Sequence, residues 1–323
     1  MVKCLFLVTL YSVLINLQAT PCGAGESSMQ VSALSRIEVS LTRALAPASA
    51  PGHPPRLAAA VRHAVFPAGA RIRPQLCLAV ARACGMDDPE LAQAVAAAVE
   101  LLHCASLVHD DLPCFDDAPI RRGQPSVQCA FGERLAVLAG DALIVLAFQA
   151  LASGATHSPR RLAPLVATLA VGVGLPSGIA AGQAWESEPA VDLGRYHQAK
   201  TGALFIASAV AGAQAAGADA SGWEELGARL GDAYQAADDI RDVAGSARWL
   251  GKPVGRDAAL ARPSLARERG VAAATRHFEC LVAEAERAVP DCPGGASLRA
   301  LVRSEATRLI PRELARELAA SAS

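Results

Sequence analysis

The sequence predicts a single all-α domain, and three observations carry that prediction. Ala, Leu and Val dominate a chain that is 52% hydrophobic and only 4% aromatic. Ala and Leu are strong helix formers, and β-branched runs are scarce. Apolar residues recur at helical spacing over long stretches separated by segments rich in Gly and Pro. No internal repeat, alternating strand pattern or low-complexity linker interrupts them, so the 323 residues are expected to share one large core.

Val31, Leu34, Ile37, Leu41 and Leu45 fall on one face of a helix over 30–46. Pro47 to Pro55 reads as a loop, and a short helix covers 56–64. Phe66 to Pro74 turns into a further helix that ends near Cys84 and Gly85. Asp87, Asp88, Pro89 and Glu90 mark a helix start, with an acidic cap and Pro in the first turn. Leu91 to His109 is apolar nearly all round, so it is expected to be buried on most sides, and Pro113 stops or kinks it. Arg121 to Ser126 is a loop. Helices follow at 134–153, 159–182, 191–216 and 221–243, then a loop at 251–257 and two closing helices at 263–288 and 295–320.

At the N-terminus, Lys3 precedes an apolar run from Leu5 to Leu17 and then Ala19-Thr20-Pro21-Cys22-Gly23. That form suits a secretory signal or a single hydrophobic anchor, although Thr9, Tyr11, Ser12 and Asn16 interrupt it and it is short for a span. The other reading is an over-extended N-terminus over 1–28 ahead of a natural start at Met29, with the folded domain at 29–323. A net charge of −1 implies no bulk attraction to nucleic acid or to an anionic membrane. Nine cysteines, an odd number without a CxxC pair, read as reduced thiols in a reducing, cytoplasmic setting.

Two acidic clusters stand out against this apolar background. One is Asp110-Asp111-Leu112-Pro113-Cys114-Phe115-Asp116-Asp117, and the other is Asp238-Asp239-Ile240-Arg241-Asp242. Asp238 and Asp242 are four apart and project from one helix face, which Gln235 shares. Like charges at that spacing repel, and carboxylates at the end of the 91–109 helix oppose its macrodipole. A bound divalent cation removes both costs. Carboxylates without a His or Cys partner suit a hard ion, and Mg²⁺ typically joins one or two carboxylates to substrate phosphates. Either cluster alone is more often a solvated helix end. The pair together, in an apolar helical chain, points to a magnesium–diphosphate site between two facing helices. Arg71, Arg73, Arg121, Arg122, Lys200 and Lys252, all beside turn-forming residues, supply the charged donors that phosphate recognition needs.

The order of motifs then resembles the trans-isoprenyl diphosphate synthases, the polyprenyl synthetase family. The stretch Leu101-Leu102-His103-Cys104-Ala105-Ser106-Leu107-Val108-His109-Asp110-Asp111-Leu112-Pro113 is followed by Arg121-Arg122-Gly123 and Leu138-Ala139-Gly140-Asp141-Ala142-Leu143. Lys200-Thr201-Gly202-Ala203-Leu204, Gln235-Ala236-Ala237-Asp238-Asp239-Ile240-Arg241-Asp242 and Leu250-Gly251-Lys252-Pro253 continue the match, which covers roughly 30–320. Val65 to Pro74 and Ala181 to Glu188 are similar to the bacterial carotenoid-pathway geranylgeranyl diphosphate synthases.

The resemblance implies an isoprenoid synthase helical bundle with a central active-site cavity, assembled as a homodimer. It implies Mg²⁺ held by Asp110, Asp111 and Asp116 from one side and by Asp238, Asp239 and Asp242 from the other. Arg121, Lys200 and Lys252 would bind an allylic diphosphate (dimethylallyl, geranyl or farnesyl). Arg71 or Arg73, Arg122 and His103 would bind isopentenyl diphosphate. Gln235 and the Thr201 region would face the developing carbocation, with Lys200 and Asp238 in the reacting centre. The product would be geranylgeranyl diphosphate for carotenoid or chlorophyll-type isoprenoids.

Ala105 and Ser106 lie about one turn before Asp110, where small residues leave room for a growing tail past fifteen carbons. His103 lies two turns before Asp110 on the same face. The chain also departs from the family pattern: Ala70 stands where a lysine is usual, Gln128 replaces a frequent His, Ala118 replaces an Asp, and Arg262-Pro263 replaces a Lys-Ser/Thr pair. The missing cation at Ala70 is expected to weaken isopentenyl diphosphate binding without touching the metal site. Alternatives are a farnesyl diphosphate synthase, a weakly active regulatory subunit of another synthase, and a terpene cyclase. The persistence of both acidic clusters opposes the regulatory subunit, and the Arg/Lys set for a second diphosphate opposes the cyclase.

Overall fold

Residues 26–67, 69–190, 192–244 and 265–309 of a computed structural model describe helices joined by short turns, with one two-stranded hairpin. Helix α1 (Glu26–Ala44) buries Ile37 and Leu41, and α2 (Pro55–Val65) buries Ala60, Val61 and Val65. Helix α3 (Ile72–Ala83) follows a turn around Arg71. Helix α4 (Pro89–Asp110) starts where the sequence indicates: Leu91 N–H donates to Asp88 Oδ1 at 3.0 Å, and Pro89 occupies a first-turn position that has no N–H partner to lose.

Helix α4 is the axis of the fold. It packs against α1, α3, α6 (Glu133–Gly154, preceded by the short α5 at Val127–Phe131) and α10 (Ala203–Ala215), and Leu91, Leu101 and Leu102 are wholly enclosed. Burial of each such leucine is worth about 1.5–3 kcal/mol. Most of the apolar surface of 91–109 is therefore buried within the chain. Helix α10 packs on α3, on α7 (Leu162–Val173) and on α11 (Trp223–Ala244). Helices α13 (Val271–Arg287) and α14 (Gly295–Leu309) close the far side, α13 packing along α11.

Three long helices expected from the sequence are interrupted. The stretch 159–182 divides into a 3₁₀ turn at Pro159–Arg161, α7, and α8 (Ile179–Ala184). Pro176 lies between α7 and α8; it has no N–H to donate and disfavours helical geometry in the residue before it. The stretch 191–216 divides into α9 (Leu193–His197), a π turn at Gln198–Gly202, and α10. Gly270, at φ 80°, separates α12 (Leu265–Arg269) from α13. The loop expected at Arg121 to Ser126 contains a small hairpin, β1 (Ile120–Arg121) and β2 (Gln124–Pro125), antiparallel with Ile120 opposite Pro125. Its turn is Arg122-Gly123 at φ 52° and 76°, the mirror-image geometry that matches strand twist. Strands of two residues carry too little alternation to read from sequence.

Candidate active site

A cavity of about 1060 Å³ opens among α3, α4, α6, α8, the π turn and α11. Asp110 and Asp116 line it from one side, and Asp238 and Asp239 from the other. The first wall is built by a loop that folds back on the end of α4. Asp116 N–H donates to the Asp110 carbonyl at 2.9 Å, and Phe115 and Asp117 N–H both donate to the Leu112 carbonyl, at 2.9 and 3.0 Å. The six-residue spacing thus returns Asp116 to the neighbourhood of Asp110.

Asp110 Oδ1 is buried and accepts no hydrogen bond. Lys200 Nζ lies 3.3 Å from that oxygen, off the line of a hydrogen bond, and Arg121 Nη2 lies 3.7 Å from Oδ2. Asp111 behaves differently. It is outside the cavity lining, 2% exposed, and closed by Arg121, whose Nε lies 3.0 and 3.2 Å from its two oxygens and whose Nη2 also pairs with it. Burial raises the Asp111 pKa even against that guanidinium. Asp111 thus holds Arg121 beside Asp110 in this structure rather than lining the cavity itself.

Lys200 belongs to the π turn, a helical irregularity common at functional positions. Two glycines admit it. A Cβ on Gly182 would lie 2.6 Å from Lys200 Cα, and one on Gly231 would lie 2.7 Å from Gly202 Cα, so backbone meets backbone on both sides. Lys200 Nζ also donates to Glu186 Oε1 at 2.6 Å, and Tyr196 Oη donates to the same oxygen at 2.5 Å. Burial opposes the lysine's charge, but Asp110, Tyr196 and Glu186 outweigh it and raise the pKa, so Lys200 is a firm cation.

On the second wall, Thr201 Oγ1 donates to Gln235 Oε1 at 3.1 Å, and Gln235 Nε2 donates to Asp239 Oδ1 at 3.0 Å. This chain orients the Thr201 hydroxyl and the Gln235 amide on the cavity wall. Asp238 pairs with Arg241 Nη2 at 3.2 Å. The Asp242 side chain and Lys252 lie outside the described residues.

The two arginines near position 70 separate clearly. Arg71 has no side-chain exposure, and its guanidinium is held by Glu100 at 2.6 Å, Glu38 at 2.9 Å and the Val65 carbonyl at 2.8 Å. Burial opposes its charge, and Glu100 and Glu38 outweigh burial to raise its pKa. Arg73 stacks at 4.5 Å from the Phe205 ring centroid and 5.6 Å from that of Tyr234, and its Nε is buried without an acceptor. Arg122 and His103 line the same part of the cavity. Burial, then the charges of Arg73, Arg122, Arg121 and Arg71, push the His103 pKa well below its ordinary value, so the ring is neutral. Ala105 and Ser106 line the cavity as expected from their position; Ser106 Oγ donates to the His103 carbonyl at 2.8 Å, which turns its hydroxyl back onto the helix.

Several wall residues were not singled out from the sequence. Arg241 sits inside the second cluster, and its spacing of three from Asp238 was the available signal. Glu100 on the wall carries no motif of its own, nor does Glu186, which is outside the cavity lining and reaches the site through its bond to Lys200.

Among the described residues no three acidic, His or Cys groups converge closely enough to enclose an ion. A divided set of carboxylates with one orphaned buried oxygen still fits Mg²⁺, which keeps waters and takes substrate phosphate oxygens for the rest of its shell.

An all-helical bundle with a carboxylate wall on each side of one cavity, and a lysine between them, defines an isoprenoid synthase. Residues 54–288 match the polyprenyl synthetase family model, and the chain belongs to that family as a short-chain prenyl diphosphate synthase, a prenyltransferase of isoprenoid biosynthesis. It is 52% identical to the geranylgeranyl diphosphate synthase of Cereibacter sphaeroides over 280 residues, 87% of this chain and 97% of that one. It is 50% identical to the geranylgeranyl diphosphate synthase of Rhodobacter capsulatus over 275 residues, 85% and 95% of the two chains. Among solved structures it is similar to a geranyltransferase from Helicobacter pylori complexed with magnesium and isoprenyl diphosphate, with 27% identity and a TM-score of 0.75 over 90% of this chain and 100% of that one.

Proposed function

We propose that the enzyme condenses isopentenyl diphosphate with allylic diphosphates to form geranylgeranyl diphosphate. The observation that carries this reading is the shared cavity: both acidic clusters, Lys200, and the arginine group of Arg73 and Arg122 line one space. Asp110 and Asp116 on one wall, with Asp238 and Asp239 on the other, would hold Mg²⁺, joined by Asp242 of the second sequence cluster. When bound, the ions supply charge compensation for a departing diphosphate.

Lys200 and Arg121 hold the allylic diphosphate as its C–O bond breaks and the electron pair leaves with oxygen. These cations are already in place, so their stabilisation needs no reorganisation. The isopentenyl double bond attacks the allylic carbon, and a proton passes to the released diphosphate. Thr201 and Gln235 present oxygen atoms toward the electron-poor carbon. Arg73, Arg122 and His103 hold the second diphosphate, with Arg73 rather than Arg71 as the donor of that pair because Arg71 is committed to Glu38, Glu100 and the Val65 carbonyl, whereas Arg73 lines the cavity and pairs with no carboxylate among the described residues.

The tail extends along Ala105 and Ser106 toward Ile144 and Val173. The absence of an aromatic ring at 105 and 106 favours twenty carbons over fifteen. The likeness of the Val65–Pro74 and Ala181–Glu188 stretches to carotenoid-pathway enzymes supports supply to carotenoid or chlorophyll-type isoprenoids. A homodimer is supported by α6 and α7, which lie side by side and leave Leu138, Val145, Val166 and Val171 exposed. A cytoplasmic setting suits the seven free cysteines among the described residues.

The test is incubation of purified protein with isopentenyl diphosphate, Mg²⁺ and each allylic primer, with chromatographic measurement of product length. A twenty-carbon product that disappears when the divalent ion is omitted is expected. A product ending at fifteen carbons would make the chain a farnesyl diphosphate synthase, and no elongation with any primer would overturn the reading.

A further inference from the structure

Glu100 is the one described carboxylate buried in the middle of α4, only 1% exposed, and it lies between two guanidiniums. Arg71 Nη1 donates to its Oε1 at 2.6 Å and Arg122 Nη2 to the same oxygen at 3.4 Å. The two arginines come from separate loops. Arg71 ends the turn before α3 and Arg122 is the turn of the β1–β2 hairpin. Both have left-handed backbones, at φ 51° and 52°, a conformation side-chain-bearing residues adopt only when their surroundings hold them there. A third contact joins the same loops: a Cβ on Gly69 would lie 2.8 Å from Arg122 Nε, so a side chain there would push the guanidinium from its present place against that turn.

The two grips differ in strength. Arg71 is fully committed, with Glu38 and the Val65 carbonyl as its other acceptors. Arg122 is held loosely, by the long contact to Glu100 and by Cys104 Sγ at 3.7 Å. It faces the cavity, whose wall at this point includes Ala70 and gains no charge from it.

We propose that Glu100 is a positioning residue for the second diphosphate: it locks Arg71 as a strut and holds Arg122 aimed into the cavity, where Arg122 exchanges its weak acceptors for diphosphate oxygens. This rests on the reading that the Arg73–Arg122–His103 corner binds isopentenyl diphosphate. Without the negative charge of Glu100, Arg71 and Arg122 repel each other and Arg122 loses its aim. The allylic side, built on Lys200 and Arg121, does not touch Glu100.

The test is steady-state kinetics on Glu100→Gln, with each substrate varied in turn. The Michaelis constant for isopentenyl diphosphate is expected to rise about tenfold, the scale of one weakened charge-assisted hydrogen bond, while that for the allylic diphosphate stays within about twofold. Glu100→Asp keeps the charge but draws it back from the longer contact; should the glutamine variant fail to fold, a smaller rise with the same split is expected here. Adding Ala70→Lys to either variant is expected to restore isopentenyl diphosphate binding by supplying a cation from the adjacent turn. Equal changes in both constants, or a fall in turnover alone, would overturn the assignment. Wild-type protein that elongates no primer would overturn the parent reading, so the two failures are distinct.

Discussion

Lys200 Nζ stands 3.3 Å from Asp110 Oδ1, a bridge from the π turn to the far end of α4. The same amine is bonded to Glu186, so an incoming diphosphate would draw a lysine already flanked by two carboxylates. Lys200→Met is expected to lower turnover by about 10²–10³, the usual scale for losing one preorganised charge-stabilising donor. Circular dichroism should be unaltered. Turnover within a factor of three of wild type would remove Lys200 from the reacting centre.

Arg71 and Arg73 should part company when each is changed to methionine. Loss of Arg71 leaves Glu38 and Glu100 short of a partner; a destabilisation of about 3 kcal/mol is expected, at the lower end for a broken buried pair because Arg122 still faces Glu100. Loss of Arg73 should leave stability nearly intact and raise the Michaelis constant for isopentenyl diphosphate roughly ten- to hundredfold. Urea melts and substrate titrations of both variants check this, and a reversed pattern would exchange the two roles.

The depressed His103 pKa has a definite sign. The unfolded chain takes up a proton near pH 6.5, whereas the native ring resists it. The native state therefore binds fewer protons in the window below that value, and stability drains as pH falls through it. His103→Gln should flatten this part of the pH–stability curve in urea melts of the substrate-free protein. Superimposable curves for the two proteins would place His103 in a different environment.

Ala105 is 2% exposed and lines the cavity where the proposed tail would run. Ala105→Phe should stop elongation at fifteen carbons or fewer by filling that space, as overpacking of a tight wall does. An unchanged product profile on chromatography would take this residue out of the tunnel.

Val145 on α6 is 57% exposed and Val171 on α7 is 56% exposed. In the proposed homodimer, a carboxylate at either position would be stranded between the copies. Val145→Glu is accordingly expected to shift the protein from dimer to monomer in light scattering, with secondary structure retained. A wild-type monomer at micromolar concentration would refute the dimer outright.

Helix existence was legible because long apolar stretches with capped starts, such as Asp88-Pro89 before α4, combine several local signals. The internal breaks were harder. Pro176 and Gly270 each interrupt an otherwise continuous apolar pattern, and periodicity over a long window averages such single residues away. The acidic walls could be read because like charges clustered in an apolar chain demand a reason. The separation of Asp110 from Asp111, or of Arg73 from Arg71, could not. Residues one or two apart point in different directions around a helix end, and only the partners, Arg121 for Asp111 and Glu100 for Arg71, decide which side chain is left available in the cavity. Glu100 was hidden for the same reason, as a lone carboxylate in an apolar run whose partners lie in two distant loops.

The wide turn at Gln198–Gly202 carries one residue more than a regular helical turn would hold. Each residue of an α-helix advances the side chain by about 100° around the axis, so that extra residue changes the phase between what precedes it and α10. The phase shift lets Lys200 and Thr201, adjacent in the chain, both serve the cavity while α10 keeps its own apolar face inward. An insertion or deletion there would act like a slipped gear: every tooth intact, and the mesh between the two walls lost.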